Sequence, residues 1–322
     1  MRRPRTLIAA IWFAMPSWAA AQALTPCETG GEGCTASDAS AWMSGLRLWT
    51  SLFAGRSSLA GNAAEGTQDV VASIAGMTLG ADKQFGQIVL GGSLGLSHQT
   101  FSSGTGGGAS DDVAVTLYAS QTLFTHAYLA EALGYGWHDV KTSRSLFLAD
   151  DVLRAKYRAH DTGGRIEGGY SFTPDWGGAL SPFAAFVGDS YHQPAYDETS
   201  ASRASFFAMS YQASTLAITH TELGLRYGDY LGWKDGKSLS VDLLAAWEHE
   251  LDDNPLVQAA FQTLPGSDFI LRGTRPAQET ALLGAGLRYQ AQDGFAFSAR
   301  SDARLGARTT IFTASAGLSY NW

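Results

Sequence analysis

Residues 86–100 read Gly-Gln-Ile-Val-Leu-Gly-Gly-Ser-Leu-Gly-Leu-Ser-His-Gln-Thr. One face of the predicted strand carries Ile88, Leu90, Leu94 and Leu96 at even positions, and the other carries Gln87, Ser93, Ser97 and Gln99 at odd positions. This period of two is typical of a β-strand with one apolar and one polar face. Fifteen residues exceed the length of most strands in soluble sheets. The stretch therefore predicts a strand long enough to cross a membrane.

The same alternation continues along the chain and predicts twelve strands. We place them at 42–53, 70–82, 86–100, 111–122, 126–141, 159–173, 181–195, 215–229, 238–250, 277–290, 294–305 and 309–322. The predicted connections alternate between short ones, such as 83–85, and long ones, such as 142–158. This asymmetry and an even strand number are typical of outer-membrane barrels, whose closure leaves no strand edge in lipid. We predict an all-β protein, a single transmembrane antiparallel β-barrel of about 12 strands spanning residues 42–322.

The composition agrees with this architecture. Beyond the N-terminus no apolar run approaches 18 residues, which excludes helical membrane spans. The chain has 37 glycines and 37 aromatic residues against 9 prolines, a balance that fits long strands with aromatic belts. A soluble β-sandwich also alternates, but it rarely repeats strands of this length with such unequal loops.

The N-terminus resembles a secretory signal peptide. Arg2, Arg3 and Arg5 precede the apolar stretch 7–15, and Ala21-Gln22-Ala23 offers a cleavage site between small residues. We therefore predict a signal peptide at residues 1–23, which leaves a mature net charge of −11 from 19 basic and 30 acidic residues. An acidic chain has no electrostatic basis for binding nucleic acid.

Residues 24–41 form a short segment between the cleavage site and the first predicted strand. Its two cysteines, Cys27 and Cys34, are the only ones in the chain. Because an exported protein meets an oxidising compartment, we predict a disulfide between them, with two free thiols as the alternative.

A closed barrel turns the polar face of each strand towards its lumen. The predicted inward charges comprise five bases and five acids: Arg165, Glu167, Glu222, Arg226, Asp242, Glu248, Arg288, Arg300, Asp302 and Arg304. Such a balance predicts little ion selectivity if the lumen is open. In the fifth strand Glu131 shares the apolar face, and we expect a bulge to turn it inward.

The last strand ends on an aromatic carboxyl terminus. Ser315, Gly317, Tyr320 and Trp322 resemble the pattern through which barrel-assembly machinery recognises its substrates. The alternative is an ordinary amphipathic edge strand that happens to end the chain.

From Trp42 to Trp322 the chain resembles the translocator domain of the autotransporter family. The resemblance rests on the order and spacing of five pieces: residues 76–82 (GMTLGAD), 133–136 (LGYG), 245–250 (AAWEHE), 264–269 (LPGSDF) followed by Arg272-Gly273, and 282–287 (LLGAGL). It implies a twelve-stranded barrel in the outer membrane of a Gram-negative bacterium. The expected partners are outer-membrane lipid, the barrel-assembly machinery and periplasmic chaperones, and the expected state is a monomer.

The front of the chain departs from the family pattern. Only residues 24–41 precede the first predicted strand, where autotransporters carry a passenger and a pore-threading helix. The glycines of this segment disfavour a helix. The family's self-cleaving asparagine also lacks a candidate, because the asparagines are Asn62, Asn254 and Asn321. The sequence therefore predicts a translocator without evident cargo, acting as a surface or translocation barrel.

Catalytic and metal-binding motifs carry little weight in this sequence. Residues 91–95 match G-x-S-x-G, but they lie within a predicted strand, whereas a nucleophile elbow needs a strand-to-helix turn. The seven histidines show no zinc spacing, and we expect most of them in the wet lumen or in loops. Asp111-Asp112 and His138-Asp139 are the acid and base pairs that a barrel enzyme at the external rim would use. We expect no catalytic, cofactor or metal site, and keep a non-selective diffusion pore and a barrel enzyme as alternatives.

Overall fold

The computed structural model describes residues 45–322 except 63, 65, 105, 125, 147–149, 201–205, 233–235, 253–255 and 265. The predicted signal peptide, the segment 24–41 and the Cys27–Cys34 pair lie outside the described residues. In the described part the strands are β1 (Leu46–Leu59), β2 (Val70–Phe85), β3 (Ile88–Ser103), β4 (Gly106–Leu123), β5 (Ala127–Leu146), β6 (Asp151–Tyr170), β7 (Ala179–Gln193), β8 (Tyr196–Asp197), β9 (Thr199–Ser200), β10 (Met209–Tyr211), β11 (Ser214–Gly232), β12 (Ser238–Glu250), β13 (Leu256–Phe261), β14 (Phe269–Arg272), β15 (Glu279–Gln290), β16 (Phe295–Gly306) and β17 (Thr309–Asn321).

Twelve of these strands form one closed antiparallel barrel. Each pairs with its neighbour in the order β1, β2, β3, β4, β5, β6, β7, β11, β12, β15, β16 and β17, and β17 pairs with β1 to close the ring. The prediction of an all-β barrel of twelve strands is confirmed. No helix in the described part of the chain is long and apolar enough to cross a membrane.

The two ends of the barrel differ. At one end, the short-turn end, strands are joined by brief connections such as 86–87 and 291–294, and Gly45 N donates to the carbonyl of Trp322 at 3.3 Å. At the other, the long-loop end, β8 to β10 lie between β7 and β11, and β13 and β14 lie between β12 and β15. Both described chain ends therefore lie at the short-turn end.

One side of the barrel wall is taller than the other. β5 and β6 have 20 residues each, whereas β12, β15, β16 and β17 have 12 or 13. The predicted long connection at 142–158 is therefore wrong, because both strands continue and only residues 147–150 separate them. The extension is stable as a strand pair because its inward side chains, including Val140, Leu153 and Tyr157, are buried.

Burial alternates along most wall strands as one face turns inward. In β4, Asp112 and Thr116 are buried, while the intervening Leu117 is 65% exposed on the outer face. Leu52 of β1 and Leu133 of β5 are exposed in the same way. An outer surface of exposed leucines has the polarity expected of a wall that faces lipid.

Glycines on the inner face accept aromatic rings from the next strand. A Cβ atom on Gly80 would lie 2.3 Å from the Trp49 ring, and one on Gly91 would lie 2.3 Å from the Tyr118 ring. Only glycine leaves room for the ring to lie flat on the neighbouring strand, an arrangement that fixes strand register. This close approach explains part of the high glycine content.

Glu131 lies on the outer face. β5 pairs without interruption on both sides of it, with Ala119 of β4 and Ile166 of β6 opposite, and its side chain is exposed. The bulge expected from the sequence is therefore absent. Glu131 is only four residues beyond Ala127, where β5 begins at the short-turn end, and a carboxylate costs less there than at the membrane centre.

A second sheet covers the long-loop end. The strands β8, β10, β13 and β14, which we name the loop cap, pair as a four-stranded sheet with its own apolar core. Met209 and Tyr211 of β10 pack there against Val257 and Ala259 of β13. The loop cap is built from two connections that the sequence analysis treated as plain loops.

Candidate functional site: the lumen and the loop cap

All ten predicted inward residues lie on the inward face of the barrel. Each occupies a position whose neighbours on the same strand point outward, and each is buried or half-buried. Arg288 donates through Nη2 to the Ser319 hydroxyl of β17 at 3.3 Å. The structure therefore brings these residues together inside one lumen.

The first group of ion pairs connects β6 and β11 across β7. Arg165 donates from Nη1 and Nη2 to the Glu222 carboxylate at 2.6 and 2.8 Å, and from Nη2 to Glu167 at 2.5 Å. Arg226 donates to both oxygens of Glu167 and to the Tyr128 hydroxyl. Glu222 is 1% exposed and Glu167 is 4% exposed. These carboxylates are screened from solvent and neutralised by arginine.

The second group lies on the neighbouring strands β12, β15 and β16, next to β11. Arg304 Nε donates to Glu248 Oε1 at 2.8 Å, linking β16 to β12 across β15. Arg300 donates to Asp242 at 2.6 Å and, through two nitrogens, to Asp302 at 2.7 and 2.9 Å. Buried and half-buried charges of both signs are thus paired by direct hydrogen bonds, which offset the cost of removing them from water.

A third polar cluster, near the short-turn end, was missed by the sequence analysis. Arg47 and Asp82 form a salt bridge at 2.9 Å, and Tyr118 donates its hydroxyl to Asp82 at 2.8 Å. Trp49 Nε1 donates to the Tyr118 oxygen at 2.9 Å. All four side chains lie at inward positions that alternate with outward apolar residues. The period of two along β1, β2 and β4 therefore predicts their orientation from the sequence.

The two acid and base pairs considered for a barrel enzyme are split by the strands that carry them. His138 faces inward and contacts Asp112 through Nδ1 at 2.8 Å and Asp161 through Nε2 at 2.5 Å. Asp111 and Asp139 face outward. Adjacent residues of a strand point to opposite faces, so neither pair acts as a unit. His138 is buried between two carboxylates, an arrangement that suits a structural ion pair.

The histidines are distributed differently from the prediction. His138 and His220 face the lumen and His126 lies in a turn, but the remaining four lie on the outer face: His98, His160, His192 and His249. The expectation that most histidines lie in the lumen or in loops was therefore wrong.

One group within the described residues has the spacing of a metal site. Ligand atoms of His220, Glu222 and Glu248 converge within 4.8 Å of one another. Glu222 is already bound by Arg165, and Glu248 is bound by Arg304. Two guanidinium groups thus supply the positive charge that a cation would otherwise bring, and the geometry fits an ion-pair cluster better than a metal centre.

The G-x-S-x-G match contributes no nucleophile elbow. Ser93 lies within β3, directly opposite Gly80 of β2 and Thr116 of β4. A residue held in the middle of a three-stranded ladder lacks the sharp turn that exposes a catalytic serine.

The predicted assembly signal lies where the barrel closes. Ser315 and Gly317 face inward, and Tyr320 faces outward between Leu48 of β1 and Phe295 of β16. The ring centroids of Tyr320 and Trp322 are 4.5 Å apart, and those of Tyr320 and Phe295 are 4.8 Å apart. The terminal strand therefore ends in an outward aromatic cluster at the short-turn end, as expected of a membrane-interface belt.

The loop cap is fastened to the tall wall by a buried ion pair and by stacked tyrosines. Arg144 of β5 donates to both oxygens of Glu198 at 3.0 and 2.5 Å, and Glu198 also accepts the amide of Met209 at 3.0 Å. Tyr196 stacks on Tyr157 of the wall at 4.3 Å and on Tyr211 of the loop cap at 4.5 Å. Burial raises the pKa of the Tyr196 hydroxyl well above its usual range, so the stack stays neutral.

The apolar cluster beneath this stack fills the interior at the long-loop end. It joins Leu59 of β1, Val70 of β2, Phe101 of β3, Val140 of β5 and Tyr157 of β6. Side chains from one half of the wall thus meet each other and the loop cap. The lumen is lined by ion pairs in its middle and covered by apolar packing at this end.

A closed antiparallel barrel with an apolar outside and an ion-paired inside is a transmembrane β-barrel. A sequence model of the autotransporter beta-domain matches residues 48–302. The chain therefore belongs to the autotransporter beta-domain family, which implies the outer membrane of a Gram-negative bacterium. In such barrels the short turns are periplasmic and the long loops external.

Solved structures share the fold at low sequence identity. The translocator domain of autotransporter NalP from Neisseria meningitidis aligns with a TM-score of 0.69 at 18% identity, covering 86% of this chain and 89% of that one. The beta domain of the Bordetella autotransporter Brka gives 0.63 at 19% identity, covering 86% and 100%. The CymD monoaromatic hydrocarbon channel gives 0.52 at 11% identity, covering 87% and 89%. A search of curated protein sequences finds no relative of this chain.

Proposed function

We propose that the protein is a translocation barrel of the outer membrane whose lumen is closed at rest. The family membership supports translocation. The geometry adds a direction, because Gly45 lies at the short-turn end beside the C-terminus. Any segment attached before β1 therefore starts on the periplasmic side and has to pass the lumen to reach the surface. Residues 1–23 would direct export and be cleaved, and chaperones and the barrel-assembly machinery would deliver the chain.

The observation that carries the closed resting state is the burial of the lumen carboxylates. Glu222, Glu167 and Glu248 are each 4% exposed or less. In a wide water-filled pore their carboxylates would be hydrated, whereas here arginines on other strands contact them directly. The loop cap supplies a second closure at the external end through Tyr196 and the Arg144–Glu198 pair. Export of a segment would need both closures to yield, or would precede their formation during assembly.

A non-selective diffusion pore is the second candidate. The fold it shares with a hydrocarbon channel favours it, but the buried ion pairs and the loop cap oppose a permanently open lumen. A barrel enzyme has less support, because Ser93 lies within a strand and His138 is held between two aspartates. We therefore propose a protein without catalytic, cofactor or metal chemistry.

Two measurements test the proposal. An epitope inserted between residues 41 and 42 should become accessible to antibody on intact cells, because the segment before β1 is exported through the barrel. The same insertion in a Tyr320→Asp/Trp322→Asp variant, whose assembly we expect to fail, provides the control. An epitope that stays inaccessible in correctly assembled barrels would refute translocation.

Planar-bilayer conductance of the refolded protein separates the translocator at rest from the pore. We expect rare, small openings in the wild type and larger ones after the loop cap is replaced by short linkers. Stable, wide openings in the wild type would establish the diffusion pore and overturn the closed resting state.

A further inference from the structure

The tall hairpin β5–β6 carries a basic patch on its outer face. Arg154, Lys156 and Arg158 occupy successive outward positions of β6, and Lys141 lies directly opposite Lys156 on β5. We name these four residues the basic ladder. It contrasts with a chain whose formal net charge is −8. Like charges in directly opposed positions destabilise a strand pair, so the Lys141–Lys156 pairing has a cost to the stability of this hairpin.

The acidic neighbours neutralise only part of the ladder. Arg158 forms a salt bridge with Asp139 at 3.0 Å, and Lys141 approaches Asp111 at 3.6 Å. All four of these side chains are exposed, between 46% and 73%. Two acids therefore neighbour four bases, and the ladder has a net positive charge that is exposed on the outer face of the barrel.

The ladder begins where the apolar outer band ends. Tyr135 and Trp137, whose rings are 4.7 Å apart, are the last aromatic residues of that band on β5, and Lys141 follows four residues later. At ~3.3 Å per residue and a strand tilt of ~40°, Lys141 lies about 10 Å beyond Trp137 along the membrane normal. Since tryptophan and tyrosine mark the membrane interface, the ladder lies at the level of the external headgroups.

We infer that the basic ladder binds the phosphate groups of the lipid that forms the outer leaflet, a phosphorylated glycolipid. Two observations favour this ligand: the ladder is positively charged, and it lies at the level of the external headgroups. Clustered lysine and arginine beside a membrane bind anionic headgroups. Successive outward residues of one strand are ~7 Å apart and neighbouring strands ~5 Å apart, so the phosphates of one headgroup can reach Lys141, Arg154 and Lys156, the three bases that Asp139 does not pair with. The inference rests on the outer-membrane location alone and does not depend on translocation.

Binding of bisphosphorylated lipid A to the refolded full-length barrel, measured by native mass spectrometry, tests the inference. The variant Lys141→Gln/Arg154→Gln/Lys156→Gln should bind about five-fold more weakly for each charge removed, on the order of 100-fold in total. Arg158 is left in place because Asp139 already pairs with it. A matched control replaces three exposed arginines elsewhere at the long-loop end, Arg56, Arg272 and Arg308, with glutamine and should bind within two-fold of the wild type.

Three outcomes would overturn the inference. They are equal binding by the ladder variant and the wild type, equal losses in the ladder and control variants, and full competition by inorganic phosphate at matched concentration. The last result would indicate a site for free anions. Dephosphorylated lipid A should bind the wild type and the ladder variant with equal affinity. Heat-modifiable migration of each variant confirms that it has folded, and a failure of surface translocation would leave this test unaffected.

Discussion

Replacing Arg165 with glutamine should destabilise the barrel by about 3 kcal/mol. Arg165 is 10% exposed and makes two hydrogen bonds to Glu222, which is 1% exposed, and one to Glu167. Removing one partner of a buried ion pair costs roughly 3–5 kcal/mol, because the other charge is left buried and unpaired. We expect a cost at the lower end of this range, because Arg226 still pairs with Glu167 and His220 Nε2 lies 3.3 Å from Glu222.

The measurement is the free energy of unfolding from urea titration of the refolded barrel in detergent micelles, followed by tryptophan fluorescence and by heat-modifiable migration. A loss of about 3 kcal/mol lowers the folding equilibrium constant roughly 150-fold. The control Arg158→Gln removes an exposed pair with Asp139 and should cost less than about 1 kcal/mol.

A double variant, Arg165→Gln/Glu222→Gln, distinguishes an unpaired charge from lost packing. With both charges absent, the cost should fall to about half that of Arg165→Gln alone, because no carboxylate is left uncompensated. If Arg165→Gln costs no more than Arg158→Gln, or if the double variant is less stable than the single one, the claim that buried ion pairs hold the lumen closed is wrong.

Replacing Tyr320 and Trp322 with aspartate should leave the protein exported but stranded in the periplasm, because the change charges the outward aromatic cluster at the closing strand, where β17 meets β1. Asn321→Ser should assemble normally, and cell fractionation that finds the double variant in the outer membrane at wild-type levels would refute the assembly signal. Cys27 and Cys34 should be protected from alkylation in the exported protein until a reductant is added, as mass spectrometry can show, and two freely alkylated thiols would exclude the disulfide. The mature protein should fractionate with the outer membrane and migrate faster on gels before boiling than after it, because a closed hydrogen-bonded barrel resists detergent, and solubility without detergent would contradict the whole assignment.

Sequence periodicity predicted the wall of the barrel but failed where one strand position broke the pattern. Glu131 on an apolar face suggested a bulge, yet the uninterrupted pairing with β4 and β6 holds it outside. Most histidines were expected in the wet lumen or in loops, but His160 and His192 lie opposite each other on the outer face. In both cases the strand's register overrides the preference of a single polar side chain, because turning it inward would move every neighbour to the wrong face.

The connections between strands were the least predictable part of the fold. Residues 142–158 lack a clear apolar face of membrane type, so they appeared to be a loop. They continue as strands because Val140 and Tyr157 are buried against other wall strands and Tyr196, and Leu153 is fully buried as well. That stabilisation comes from residues up to 98 positions away in the chain, such as Leu59, and local pattern carries no trace of it.

The sequence by itself determined which side chains of each strand face inward, because a period of two divides every strand into two faces whatever its neighbours are. It thereby placed Arg165, Glu222 and Arg304 on the polar face. The tertiary structure alone decided which inward charges meet and whether the lumen is covered. Those contacts depend on the register of strands that are not adjacent and on pairing between β10 and β13, whose paired residues are about 50 positions apart in the chain. Ion pairing and closure act through space, whereas periodicity acts only along one strand.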